Sequence, residues 1–300
     1  MTIIKLPNNK FWKNKFFFFG ILFGAVIVTC ITLPIILVQN VHTTTSHTSE
    51  WSYLRQDLWD GLCQTGQKQS PINLIETVVD DIYTTLPSIH LENINYFETV
   101  EVGNTGHTVT LNLTKNNSTQ PRLYGGGLSG NFTLNHAHFH WPSEHSINGK
   151  SFDLEAHLVF YSDLFQSLSD ALEVPNQVTV LAILFEQSNN ESSKTHTNFQ
   201  TIDKAVLKVS FYAGSTAETS KGLTLEDFFP NDLESFFAYS GSLTTPSCNE
   251  GVNWIILREP VEIYENDLDY LTNVFTEEQE LLEKNNRDLQ EVNGRTIVVH

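Results

Sequence analysis

Beyond about residue 50, the apolar and polar positions of this chain follow the two-residue period of strands far more often than the 3.6-residue period of helices. Alternating or apolar runs cover 98–113, 132–141, 152–161, 178–185 and 252–257, with Gly, Asn and Pro clusters between them. Helical spacing is confined to two stretches. Residues 197–209 place Phe199, Ile202, Ala205, Val206 and Val209 on one face, and 276–284 open with a Thr-x-x-Gln capping pattern ahead of Leu281 and Leu282. There is no internal repeat. The pattern predicts a mainly β domain with short peripheral helices.

Residues 16–38 depart from it. The run FFFFGILFGAVIVTCITLPIILV carries no charge and reaches the roughly 20 residues that cross a bilayer as a helix. The apolar core of a signal peptide is shorter, about 7–15 residues, and no small-x-small cleavage site follows here. A retained transmembrane signal-anchor is therefore expected, with secretion after cleavage as the alternative. Lys5, Lys10, Lys13 and Lys15 precede the run and no Lys or Arg follows before Arg55, which keeps residues 1–15 cytoplasmic. Residues 39–50, rich in Ser and Thr, read as a stalk. The folded domain then spans 51–300 and is extracellular or luminal.

Composition agrees with that placement. The 300 residues include 17 Lys or Arg and 35 Asp or Glu, a net charge of −18; with four Lys ahead of the apolar run, the rest of the chain carries 13 basic against 35 acidic side chains, or −22. Such a surface excludes nucleic acid as a partner, and its acidity reads as solubility rather than a function of its own. Cys30 lies inside the apolar run, leaving Cys63 and Cys248 beyond it, and sequons at Asn112, Asn116, Asn117, Asn131 and Asn190 suit a secretory route.

The chemistry concentrates in His138-Phe139-His140-Trp141, followed by Glu144 and by Glu155-Ala156-His157. Side chains on a strand alternate faces, so His138 and His140 point the same way, as do Glu155 and His157. Between them Asn148-Gly149 is a hairpin signal, because both residues tolerate positive φ. The two strands should be antiparallel neighbours, and a register that sets His138 opposite His157 also sets His140 opposite Glu155. Three imidazoles on one rigid face suit zinc, and a fourth tetrahedral position left open marks a catalytic rather than a structural site. A lone His-x-His is more often a packed or surface pair; the converging His157 changes that reading. His136 shares the ligand face and is expected to support the ligands from behind. Neither it nor His145 is expected to be a ligand.

The chemistry-bearing segments do not stand alone. Trp51-Ser52-Tyr53, Trp59, Gln69-Ser70-Pro71-Ile72-Asn73, Asn104-Thr105-Gly106-His107, Glu144-His145, Glu155-Ala156-His157-Leu158-Val159, the YSGSLTTP segment from Tyr239 to Pro246, and Asn286-Arg287 accompany the His138 block. With them the span 51–300 resembles the α-class carbonic anhydrases, its short hairpin at 142–150 being closer to the compact bacterial-type members. His136 stands where that family commonly has Gln, and Ser247 and Asp288 where it commonly has Pro.

The resemblance implies a large, twisted, mostly antiparallel sheet with zinc at the base of a cone-shaped cleft. It implies that His138, His140 and His157 hold Zn2+ and that a zinc-bound hydroxide converts carbon dioxide to bicarbonate and a proton. The water that yields it has a pKa of about 7, a value for which carbonic anhydrase is itself the reference case. Glu144 and Thr244 then resemble the pair that orients the nucleophile, although Glu144 alone would read as a solvated hairpin acid. Glu155 is read as an acceptor for the second nitrogen of His157. Val159, Val180, Leu243, Val252 and Trp254 resemble an apolar wall for the substrate, with the Thr245 hydroxyl and the Thr244 amide as further polar contacts. His107, expected to be exposed, resembles the proton shuttle; outside this setting it would be an ordinary surface histidine. Cys63 and Cys248, the two cysteines on the oxidising side, are expected to form a disulfide. Two other functions fit less well: an adhesion module on the same fold is disfavoured by the full set of three histidines, and a zinc peptidase by the lack of His-Glu-x-x-His.

Overall fold

The strand runs assemble into one large sheet in the computed structural model, which describes residues 51–75, 86–113 and 120–300. The expected tail, membrane span and stalk lie outside the described residues. Among the described residues no helix is long and apolar enough to cross a membrane. The described residues form twelve strands of this sheet. Its central path runs Ser215–Glu218, Glu101–Asn104, Val109–Asn112, Phe132–His140, Leu154–Ser162, Val178–Ser188, Glu250–Leu257, Phe236–Ser242 and Val298–Val299. It is a mixed sheet, antiparallel except where Val178–Ser188 runs parallel to Glu250–Leu257 and to Val261–Tyr264.

Val178–Ser188 shows why the sheet is central. Its first eight residues are all buried, as a near-continuous apolar run requires when both faces are covered. Leu181, Ile183 and Phe185 join one apolar core and Val178, Val180, Ala182 and Leu184 the other. The helix His196–Val209 covers the first face, burying Phe199, Ile202, Ala205 and Val206 in that core. The second face carries the histidines: Val159 lies in its core, while Ala156, Leu158 and Phe160 point into the first.

The helix expected over 276–284 does not form. Gln279 takes a φ of 61°, the Thr276 amide donates to the Glu280 carbonyl, and Phe275 bridges Leu281. The Leu282 carbonyl is committed to the indole N–H of Trp141 at 3.1 Å. A local turn and bridge, with the long-range bond from Trp141, outweigh a capping pattern that has only two apolar residues to bury.

Candidate metal centre

A register brings the three histidines together. Phe132–His140 pairs with Leu154–Ser162 so that His138 lies opposite His157 and His140 opposite Glu155. Asn148 and Gly149, at φ 51° and 79°, make a tight turn between the two strands. One ring nitrogen from each of His138, His140 and His157 lies within 4.8 Å of the others.

The partner of each outer nitrogen decides what the inner one presents. His157 Nε2 lies 2.7 Å from Glu155 Oε1; an ionised carboxylate only accepts, so Nε2 carries the proton and Nδ1 is a lone pair. His140 Nδ1 lies 2.7 Å from the carbonyl oxygen of Asn285, which leaves Nε2 as a lone pair, buried and without a partner. His138 leans on another imidazole, its Nδ1 3.1 Å from His136 Nε2, while its Nε2 faces His157 Nδ1 at 3.3 Å. Burial lowers the pKa of all three rings, that of His140 to about 4, so they are neutral at neutral pH. Convergent nitrogens with no proton to share among them are the pattern a cation resolves. Three imidazole donors suit zinc, so the residues fit the ion that the motif implies.

Glu155 is held from several sides. Besides His157 it accepts from the His145 amide at 2.8 Å and from His145 Nδ1 at 2.7 Å. Burial by itself would raise its pKa, but the electrostatic pull of His145 and His157 and the hydrogen bonds they donate outweigh that and hold it well below the usual carboxylate range. His145 Nε2 is then a lone pair and accepts from the Tyr239 hydroxyl at 2.7 Å; the Ser70 hydroxyl, 2.8 Å from Tyr239, donates in turn. His145, Glu155 and His157 also lie within ligand range of one another. Their 2.7 Å hydrogen bonds make them a bonded triad rather than a second metal site.

Glu144, 2% exposed, accepts the Arg287 amide through Oε1 at 2.9 Å. Burial raises its pKa to about 7, while His157, Thr244 and that amide pull it down. The Thr244 hydroxyl is thus close enough to stabilise the carboxylate, although Oε2 has no partner in hydrogen-bond geometry. Val159, Val180, Val252 and Trp254 share one apolar core, with Leu243 packed against it, and Trp254 meets His157 edge-on at 4.9 Å. Thr245, half-buried, accepts the Cys248 amide on its carbonyl. The Cys63–Cys248 disulfide is formed, with Cα atoms 5.1 Å apart.

His107 lies outside the three-histidine cluster and is half-buried rather than exposed, its ring stacked on Trp51 at 3.8 Å. That contact explains the difference: a flat aromatic neighbour, which alternation along the chain cannot reveal, covers one face of the ring. The two rings help line a cleft of about 520 Å³ with Tyr53, Glu277 and Leu281.

Sequence reasoning missed Asn285 and the roles of Tyr239 and Arg287. Asn285, fully buried, accepts from His140 and the Trp141 amide and donates to the carbonyls of His107 and Phe139. The Arg287 guanidinium bonds Gln69, Ser70 and Cys63. These residues carry no periodic signal. Asn135, hydrogen-bonded to His136, does have one: apolar positions are even at Phe132 and Leu134 but odd at Ala137, Phe139 and Trp141.

Fold and site together define a mainly β protein with three convergent histidines, able to hold a metal ion, at the face of a large sheet. The family described as eukaryotic-type carbonic anhydrase matches residues 47–300. Putative carbonic anhydrase 5 of Caenorhabditis elegans is 32% identical over 248 residues, covering 80% of this chain and 77% of that protein. Carbonic anhydrase 6 of Homo sapiens is 31% identical over 83% of this chain and 80% of its own length, and carbonic anhydrase of Neisseria gonorrhoeae is 31% identical over 85% and 86%. The chain belongs to the eukaryotic-type carbonic anhydrase family.

Proposed function

We propose that His138 Nε2, His140 Nε2 and His157 Nδ1 hold the zinc with which this carbonic anhydrase hydrates carbon dioxide reversibly to bicarbonate and a proton. The observation that carries the assignment is the convergence of three neutral imidazoles whose outer nitrogens are all hydrogen-bonded. Bound zinc supplies a Lewis acid that brings a water to a pKa of about 7, carbonic anhydrase being the reference case for that figure. The remaining tasks fall to the chain. A threonine hydroxyl has one proton; if Thr244 gives it to ionised Glu144, it can only accept from the nucleophile, whose free lone pair is then aimed at the substrate. Burial raises the pKa of Glu144 to about 7, and a cation held by the three histidines would favour its ionised form. Val159, Val180, Leu243, Val252 and Trp254 offer nonpolar carbon dioxide a dry surface, with the Thr244 amide and the Thr245 hydroxyl as polar contacts. His107 takes the released proton to buffer. Glu155 holds His157 in one tautomer.

On the wider chain, residues 16–38 anchor the protein in a membrane, 1–15 stay cytoplasmic, 39–50 form a stalk and the domain 51–300 works outside the cell or in a lumen. The Cys63–Cys248 bond supports an oxidising compartment, and the exposed Asn131 is open to glycosylation. The test is zinc content alongside stopped-flow hydration of carbon dioxide. One zinc per chain and active enzyme are expected, with both lost in His157→Ala; a variant that keeps its zinc overturns the ligand assignment.

A further inference from the structure

Two of the three proposed ligands lean on groups that can only accept a hydrogen bond: the Glu155 carboxylate and the Asn285 carbonyl. His138 instead leans on His136, an imidazole able to donate or accept. A neutral ring has one N–H and one lone pair, and its own chemistry does not say which faces His138. Were His136 Nε2 protonated, His138 Nδ1 would have to accept. The His138 proton would then sit on Nε2, and that nitrogen could bind no metal.

Asn135, in the amide orientation the structure gives it, favours one tautomer. Its side-chain oxygen lies 2.8 Å from His136 Nδ1. An amide oxygen only accepts, so Nδ1 carries the proton and Nε2 is left as the acceptor that His138 Nδ1–H needs. Neighbouring residues on a regular strand point to opposite faces, so this contact requires an irregularity. The pairing supplies one: Leu134 faces Phe160 and His136 faces Val159, so the register shifts at Asn135. Such a bulge sets two residues against one and re-aims a side chain. Asn135 and His136 are accordingly consecutive half-buried positions in a strand that otherwise alternates around them. The same shift moves the apolar phase of the strand from even to odd positions, so the bulge is written into the sequence.

We propose that Asn135 is a positioning residue of the metal centre: held by the bulge, its amide oxygen selects the Nδ1–H tautomer of His136, which makes His138 present Nε2 to zinc as a lone pair. The inference rests on His138 being a ligand. It also explains how His can stand at position 136, because a Gln there would offer His138 an amide oxygen directly and need no such selection.

The test uses the purified full-length chain loaded with zinc and reads two quantities other than activity: the rate of zinc release to excess dipicolinate, and the tautomer of His136 from two-bond ¹⁵N–¹H correlations of histidine-labelled protein. Asn135→Ala should speed release about tenfold or more and populate the Nε2–H form of His136. Adding His136→Gln to that variant should restore slow release, since the carboxamide oxygen accepts from His138 without choosing a tautomer. If Asn135 served only to shape the strand, the double variant would release zinc as fast as the single one. That result, unchanged release in Asn135→Ala, or His136 protonated on Nε2 in the unaltered protein overturns the proposal. If instead His138→Ala holds zinc as tightly as the unaltered chain, the ligand assignment itself fails and the inference falls with it.

Discussion

A reaction that leaves a proton on a group of pKa about 7 must pass it to something better than water. Reprotonation cannot exceed diffusion, so transfer to bare water falls well below the roughly 10⁶ s⁻¹ turnover for which carbonic anhydrase is the reference case. An imidazole with a pKa near neutrality is suited to carry that proton to buffer. In His107 burial lowers the pKa, while Glu277 and Glu278 pull it back up. His107→Ala should lower kcat about tenfold or more in weak buffer and leave kcat/KM almost unchanged, because substrate capture precedes the proton step. Concentrated imidazole buffer should restore the loss. Turnover in weak buffer that ignores the substitution would remove His107 from the pathway.

At the scale of elements, the helices His196–Val209 and Glu265–Thr272 meet over a pair of acids. Asp267 accepts from His196 Nδ1 at 2.7 Å. Asp203, 5% exposed, has an Oδ1 without a hydrogen-bond partner. Burial, with the charge of Asp267, raises the Asp203 pKa to about 9, against a small opposing pull from Lys204. The folded state therefore holds a proton that the unfolded chain releases near pH 4. Stability from this group is fully present below that pH and is lost as pH rises towards about 9. Asp203→Asn cannot ionise, so its stability relative to the unaltered protein should improve steadily between about pH 5 and about pH 8.5. Urea unfolding of both proteins across that range checks it; a difference independent of pH would contradict the raised pKa. Neither helix was equally legible beforehand. The longer one showed its apolar face in the sequence, whereas Glu265–Thr272 buries only Asp267 and Leu271 and has little periodicity to read.

For the whole molecule, the disulfide closes a span of 185 residues and ties the start of the domain to the loop bearing Thr244. A loop that long gives a nominal stabilisation of roughly 5 kcal/mol, less whatever residual structure the unfolded chain retains. If residues 16–38 anchor the chain, protease added to intact cells or sealed vesicles should cut the stalk at 39–50 and release an active domain, leaving the N-terminal peptide in the membrane. A soluble protein whose N-terminus already lies near residue 41 would show cleavage instead. What the sequence by itself determined was the ligand face: His138, His140, Glu155 and His157 share a side through a two-residue period, and a turn at Asn148-Gly149 leaves few registers open. These are local properties, set within a couple of dozen residues. Only the tertiary structure decided what holds that face in its working state. Asn285 reaches His140 across 145 positions and Arg287 reaches Glu144 across 143, and hydrogen bonds over such distances leave no periodic mark on the chain. The expected helix at 276–284 gave way in part to the bond between the Leu282 carbonyl and Trp141 across 141 positions, and although the phase shift between Leu134 and Ala137 marks the bulge in the sequence, only the pairing with Phe160 and Val159 shows that Asn135 is the residue left over.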